Sequence, residues 1–228
     1  MTYADATPRE SALPLDYDRL YAHRHRGVEQ ATRTEVWELI AEFLYKRMGC
    51  PTRVLDPVAG GGEFINAVRA PERWASDAQS SLATFVDKDV HCVIGDVFEL
   101  DLPADAFGGI FVSNFLEHLH SPEAVQAFLA RMRTALALGG RLVILGPNIR
   151  CLPRHYFDFA DHRLPLSHVT VVEHLAMAGM EATTVVPRFL PYSFTGRLPS
   201  ATPLVRAYLK FPLAWRLLGK QFLVIAEK

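Results

Sequence analysis

The sequence predicts an α/β domain built on a mostly parallel sheet, and three observations carry that prediction. Short apolar runs of strand length alternate with longer stretches of helical spacing through most of the chain. The first such run, Thr52 to Asp56, ends in a carboxylate, passes through Pro57 and the consecutive glycines Gly60, Gly61 and Gly62, and opens into a helical segment at Glu63. Two later runs, Arg73 to Asp77 and His91 to Val97, also carry an acid at or beside their ends, Asp77 and Asp96. With 228 residues, 50% of them hydrophobic and 21% charged, the chain is long enough for one sizeable core and too short for two full domains. The expected division is a tail with lid helices over 1–50 and a single α/β domain over 51–228.

Charge and cysteine content narrow the function classes. The 24 basic and 25 acidic side chains leave a formal net charge of -1, without the basic excess of proteins that bind nucleic acid. Cys50, Cys92 and Cys151 are odd in number and form no CxxC, so neither a disulfide framework nor a cysteine zinc site is indicated, and a reducing cytoplasm is the expected location. The segment from Met1 to Pro14 carries acids and prolines where a secretory signal has a basic start and an apolar core. No apolar run approaches the roughly 20 residues that span a bilayer.

Taken in order, residues 1–14 read as a tail, and two helical patterns follow between Asp16 and Lys46. The second buries Val36, Leu39, Ile40, Phe43 and Leu44 on one face. The β-branched and leucine residues of Thr52–Asp56 suit a strand buried on both sides, and the glycines after it allow a sharp turn and close approach to a ligand. Neither the P-loop pattern nor Gly-x-Gly-x-x-Gly is present, so a phosphate-free ligand fits better. After a helix from Glu63 to about Ala70, Asp77 ends a second strand about 20 residues beyond Asp56, where such folds place the acid that meets ribose hydroxyls. Capping of the next helix is its other reading. The fourth strand is Gly109–Asn114, a helix with a buried stripe runs from Pro122 to about Leu138, and Gly139-Gly140 stops it before a fifth strand, Arg141–Asn148. Met180–Pro187 and Gln221–Lys228 complete seven strands.

The string Asp56-Pro57-Val58-Ala59-Gly60-Gly61-Gly62 resembles motif I of the class I S-adenosylmethionine-dependent methyltransferases, Asp-x-Gly-x-Gly-x-Gly, with Val58 in place of the first glycine. A β-branched residue is unsuited to positive φ, so the turn should begin in an ordinary conformation. The Gly95-Asp96 pair and the Gly139-Gly140-Arg141-Leu142-Val143-Ile144 string resemble later motifs of the same family, in the same order over residues 52–148, and the chain looks most like its methyltransferase 11-like, small-molecule and glycoconjugate branch. The resemblance implies a Rossmann-like seven-stranded sheet with helices on both faces and the last strand antiparallel. It also implies S-adenosylmethionine as cofactor and S-adenosylhomocysteine as product, with contacts from Asp56, Val58, Gly60, Gly62, Asp77, Asp96, Val97 and Asn114. Asp96 would meet the adenine amino group and Val97 would pack on the ring. The N-terminal segment would close over the methionine end, with Tyr17, Tyr21, His23 and His25 as candidate lid contacts.

Two insertions are expected on the substrate side. Residues 149–170 are crowded with Arg150, Arg154, His155, Tyr156, Asp158, Asp161, His162, Arg163 and His168, and a long loop of this kind is usually functional. Residues 188–220 contain Arg188, Arg197, Arg206, Lys210, Arg216 and Lys220 among apolar side chains, with no acid between Ala182 and Ala226. That stretch suits either an anionic membrane surface or acidic substrate, or a cap packed on the sheet with solvated cations. For a hydroxyl acceptor a histidine base is the natural choice, and His118 after strand four and His162 in the opposite loop are the candidates. Asn114-Phe115-Leu116-Glu117-His118 also resembles the Glu-x-x-Glu-His metal site of ubiquinone-biosynthesis and small-RNA methyltransferases, with Asn114 at the first glutamate. A divalent metal there would need Asp158, Asp161 or His162 to complete it. The expected activity is methyl transfer to oxygen of a natural product, sugar or lipid-linked sugar. N- or C-methylation of a small metabolite, nucleic-acid methylation and a non-catalytic cofactor-binding subunit are the alternatives, and Ser113-Asn114-Phe115-Leu116 lacks the Pro-Pro-aromatic string that a base-modifying enzyme needs.

Overall fold

The computed structural model describes residues 19–20, 30–192 and 202–228. Tyr17, Tyr21, His23, His25 and Arg197 lie outside the described residues. From Gln30 the elements run α1 (Gln30–Arg47), β1 (Arg53–Asp56), α2 (Glu63–Ala67), β2 (Glu72–Asp77), α3 (Leu82–Phe85), β3 (His91–Ile94) and β4 (Phe107–Ser113). They continue with α4 (Pro122–Ala135), β5 (Leu136–Pro147), α5 (His168–Met177), β6 (Glu181–Val186), α6 (Thr202–Lys210), α7 (Pro212–Leu218) and β7 (Gln221–Glu227). The strands form one seven-stranded sheet in the order β3-β2-β1-β4-β5-β7-β6. All neighbours are parallel except β7, which runs antiparallel to both β5 and β6. This is the Rossmann-like sheet, reversed last strand included, that the sequence resemblance implies.

Alternation along the central strands sends side chains to two cores. Val54, Phe111, Val143, Leu145, Leu223 and Ile225 face α1, α2, α6 and α7. Leu55, Ile110, Val112, Leu142, Ile144 and Val224 face α4 and α5. Each fully buried side chain of this size contributes about 1.5–3 kcal/mol. Helix α4 begins where Ser121 accepts the Ala124 N–H at 3.2 Å with Pro122 in the first turn, and it buries Val125, Phe128, Leu129, Met132 and Ala135 as a helical stripe.

Several boundaries differ from the sequence reading. Helix α4 ends at Ala135, and Gly139 and Gly140 lie inside β5. Leu136 already pairs with Phe107 before the register shifts to Gly109 opposite Arg141, and Gly139 takes φ 72° at that irregularity. The glycines therefore serve a bulged strand entry. A β-carbon on Gly140 would stand 2.8 Å from the Ala137 carbonyl oxygen. Strand β3 stops at Ile94, one residue before Gly95-Asp96, and α2 stops at Ala67. His168 starts α5, whose capping box is formed by Ser167 and Thr170, and so leaves the loop in which the sequence reading placed it. The 188–220 stretch contains α6 and α7, and Phe43 of α1 stacks on Phe189 at 5.2 Å between centroids and meets Trp215 edge-on at 5.7 Å.

Candidate active site

The order of the sheet reverses between β1 and β4, and α/β sheets of this kind bind ligands at the carboxyl edge of that crevice. Asp56, at the end of β1, is 4% exposed. Burial pushes its carboxyl well above the usual aspartate range, against the pull of the Val58 N–H, and the charges of Asp77 and Glu63 push the same way. Val58 has an ordinary φ, as a β-branched residue requires, whereas Gly60 and Gly62 sit at φ 55° and 74°. The loop is strapped to β2: the Ala59 N–H donates to the Ser76 carbonyl at 2.9 Å, and the Ser76 hydroxyl donates to the Pro57 carbonyl at 2.8 Å.

Asp77 completes the strap. One carboxylate oxygen accepts the Gly60 N–H at 2.9 Å and the other accepts the Gln79 N–H at 2.9 Å. Each oxygen keeps a second lone pair for a ligand hydroxyl. Asp77 thus holds the glycine loop in place, a role that strand-end position alone did not reveal. Asp96 is exposed and accepts the Phe98 N–H at 2.9 Å. The side chain of Val97 turns inward and is buried with Leu55, Phe128 and Leu129. Around this mouth the Asp77 carboxylate supplies the charge suited to a cationic ligand, while burial favours the neutral form of Asp56 and Glu63 is paired with Arg33 of α1.

On the other side of the crevice, Asn114 follows β4 at φ 48°, a conformation that asparagine tolerates better than most residues. Its N–H donates to the Leu145 carbonyl at 2.9 Å and its Nδ2 donates to the Ser113 hydroxyl at 2.9 Å. Its Oδ1 is buried without a hydrogen-bond partner among the described residues, and an acceptor left so is costly until a ligand donor meets it. The chain then makes a 3-10 turn over Leu116–His118. The carbonyl of Glu117 accepts the Arg163 and Leu164 N–H groups at 2.8 and 3.0 Å, which hooks the 149–167 segment onto this turn.

That hook brings His118 and His162 together, with ring centroids 5.2 Å apart. His118 Nδ1 lies 2.9 Å from the Asp161 carbonyl oxygen and 3.5 Å from its carboxylate. Both neighbours only accept, so Nδ1 carries the proton and Nε2 keeps its lone pair. His162 is 8% exposed and is packed by Tyr156, Phe159 and Tyr192, with centroids 5.0, 5.0 and 6.2 Å away. The Tyr192 hydroxyl lies 3.0 Å from His162 Nε2. Tyr156 is fully buried; its hydroxyl donates to the Leu164 carbonyl at 2.8 Å and accepts the Leu166 N–H at 3.0 Å. Burial, and then the Glu117 charge, push its phenol pKa upward.

Glu117, His118 and His162 also offer ligand atoms within 4.8 Å of one another. A carboxylate and two imidazoles fit a divalent transition metal better than Mg²⁺ or Ca²⁺, which take oxygen ligands. Phe159 and Tyr192 were not singled out in the sequence. Tyr192 is 30 positions from His162 and arrives only because β6 ends on the same edge, so no local pattern marks it.

Comparison with known proteins agrees with this fold. Residues 52–144 match the family model of the methyltransferase domain, Methyltransf_11. No curated protein sequence matches the chain. Among solved structures, an S-adenosylmethionine-dependent methyltransferase from Archaeoglobus fulgidus is 21% identical with a TM-score of 0.64, over 93% of this chain and 100% of that one. A chain of the complex between the Haloferax volcanii Trm112 methyltransferase activator and a methyltransferase is 16% identical with a TM-score of 0.67, over 95% and 99%. The geranyl diphosphate C-methyltransferase of Streptomyces coelicolor, solved with Mg²⁺, geranyl diphosphate and S-adenosylhomocysteine, is 16% identical with a TM-score of 0.59, over 82% and 77%. At these identities the likeness is one of fold.

Residues 52–144 thus carry a methyltransferase domain, and the sheet is the one seen in S-adenosylmethionine-dependent methyltransferases of known structure.

Proposed function

We propose that this methyltransferase moves the methyl group of S-adenosylmethionine to a hydroxyl of a small-molecule acceptor, such as a natural product, a sugar or a lipid-linked sugar. The observation that carries the reading is the His118–Asp161 pair: Nδ1 is held by acceptors at 2.9 and 3.5 Å, which leaves Nε2 to take a proton. Displacement at a sulfonium is in-line and loses charge on sulfur, so alignment and exclusion of water supply much of the rate. A base matters when the acceptor proton must leave, as for a hydroxyl. His118 is that base, Asp161 stabilises the imidazolium that forms, and His162 with Tyr192 positions the acceptor. The glycine loop, Asp56, Asp77 and Asp96 hold the cofactor, and Asn114 Oδ1 accepts a hydrogen bond from the cofactor or the acceptor.

A second reading rests on the Glu117–His118–His162 donor set, whose atoms lie within 4.8 Å of one another. Those three residues would hold a divalent ion, and the ion would polarise an acceptor oxygen. Both readings are tested by calorimetric titration with S-adenosylmethionine followed by transfer of labelled methyl to sugar, phenol and lipid-linked hydroxyls, with and without a chelator. His118→Ala should cut transfer by about 10²- to 10⁴-fold while the cofactor still binds. Undiminished transfer by that variant would overturn His118 as base. Chelator-resistant transfer would remove the metal.

A further inference from the structure

We infer that the α6–α7 hairpin is a docking surface for an anionic lipid membrane. Its placement follows from the sheet. Gln221 at the start of β7 pairs with Pro147 at the end of β5, and Leu223 pairs with Val186 at the end of β6. The 187–220 connection therefore leaves and re-enters the sheet on the edge that holds Asn114 and the glycine loop.

The hairpin is anchored on one side and apolar on the other. Leu209 and Trp215 are buried, Trp215 meets Phe189 at 5.1 Å between centroids, and its Nε1 donates to the Tyr208 carbonyl at 2.8 Å. The Tyr208 hydroxyl donates to the Phe189 carbonyl, and burial pushes its phenol up to about 12. Facing outward are Leu204 at 52% exposure, Phe211 at 57%, Leu213 at 57%, Leu217 at 77% and Leu218 at 42%. Among the described residues, no other stretch of this length exposes so many large apolar side chains. Single exposed leucines need no explanation, but a cluster of this kind marks an interaction surface.

Charge identifies the occupant. Arg206, Lys210 and Arg216 are exposed between those apolar groups, and no acid occurs from Ala182 to Ala226. Two acids of α1 face the hairpin: Glu42, which feels Arg206 and Lys210, and Glu35, which accepts from the Thr202 hydroxyl. Arg216 lies beside the exposed Leu217 and Leu218. Aliphatic side chains interleaved with cations match the boundary between acyl chains and anionic headgroups. A phosphate backbone would use the cations but leave the leucines without a partner. No helix among the described residues is long and apolar enough to cross a membrane, so the contact is peripheral.

The test is co-sedimentation of the full chain with vesicles of phosphatidylcholine alone and of phosphatidylcholine with about one third phosphatidylglycerol. The wild type should pellet with the anionic vesicles and be released by high salt. Leu217→Glu with Leu218→Glu should weaken binding by about 30-fold or more, and Arg216→Glu by about tenfold. Both variants should keep the wild-type melting temperature and S-adenosylmethionine affinity, since these side chains are exposed. Failure of the folded wild type to pellet with anionic vesicles overturns the inference. So does equal binding to neutral vesicles, or wild-type binding by the double variant, as expected if the surface serves a protein partner. None of these readouts depends on which acceptor is methylated.

Discussion

Gly60 and Gly62 both occupy the left-handed region, at φ 55° and 74°, yet alanine should have opposite consequences at the two positions. The backbone cost is shared, about 1–2 kcal/mol for an L-residue held there. The surroundings are not. Among the described residues, a β-carbon at Gly60 would meet nothing within 4 Å, whereas one at Gly62 would stand 3.0 Å from Val86 Cγ1 and 3.5 Å from Asn66 Nδ2. Gly60→Ala should therefore pay strain alone and lower the melting temperature by about 2–8 °C at the 2–4 °C per kcal/mol usual for a chain of this size. Gly62→Ala adds an overpacking cost of about 1–3 kcal/mol and should melt lower still.

Cofactor affinity should run the other way. The open space beside Gly60 is where we place the cofactor, so a methyl group there displaces the ligand from hydrogen bonds worth about 1.5–3 kcal/mol. The dissociation constant should rise about 10- to 100-fold. Gly62→Ala, whose β-carbon points at α3 and α2, should bind within about threefold of the wild type, a difference of less than about 1 kcal/mol. Differential scanning calorimetry and titration with S-adenosylmethionine read the two effects separately. Wild-type affinity in Gly60→Ala would refute the placement of the cofactor against this loop.

Asp56 carries a pH signature. Burial raises its folded-state pKa above the unfolded value, so its contribution to stability is fully present below about pH 4 and is lost as pH rises through the folded value. Urea unfolding of cofactor-free protein should show the Asp56→Asn variant gaining on the wild type as pH rises, and a pH-independent difference would contradict this. Asn114→Gly relieves the φ 48° backbone and should leave stability unchanged or slightly raised, while loss of Oδ1 lowers methyl transfer about tenfold or more; full transfer would show that the orphaned acceptor meets no ligand. Tyr156→Phe strands the Leu166 N–H and the Leu164 carbonyl in a buried loop and should cost about 2 kcal/mol, read as a drop in melting temperature together with slower transfer. An unchanged melting temperature would deny Tyr156 its bracing role.

The proposed cofactor half of the site could be picked out in sequence because its parts are local. Asp56, Gly60 and Gly62 lie within one strand-loop-helix unit, and Asp77 and Asp96 end or follow the next two strands. What remained hidden was the use each residue makes of its atoms: both Asp77 oxygens hold backbone N–H groups, and Val97 turns into the core. Periodicity also misplaced the end of α4, because Leu136 and Ala137 suit a helix as well as a strand and only pairing with β4 decides between them. His168 likewise read as a loop residue because its neighbour Ser167 signals a cap only when Thr170 is seen to reciprocate.

The proposed acceptor half could be read only as a list of suspects, for a physical reason. His118, Asp161, His162 and Tyr192 come from three separate segments, and what unites the first two is a hook of two backbone hydrogen bonds from Arg163 and Leu164 to the Glu117 carbonyl. Backbone hydrogen bonds of this kind have no side-chain signature, so no spacing rule finds them. Under the proposed function, the same hook would let residues 149–167 change in sequence while their attachment at Glu117 and their brace at Tyr156 persist. Side chains that line the acceptor would then vary independently of the strap from Asp77 to Gly60. Exchanging the Phe159–His162 stretch should therefore alter which acceptor is methylated while leaving S-adenosylmethionine affinity in place. A parallel loss of cofactor affinity would show that the two halves are one cooperative unit.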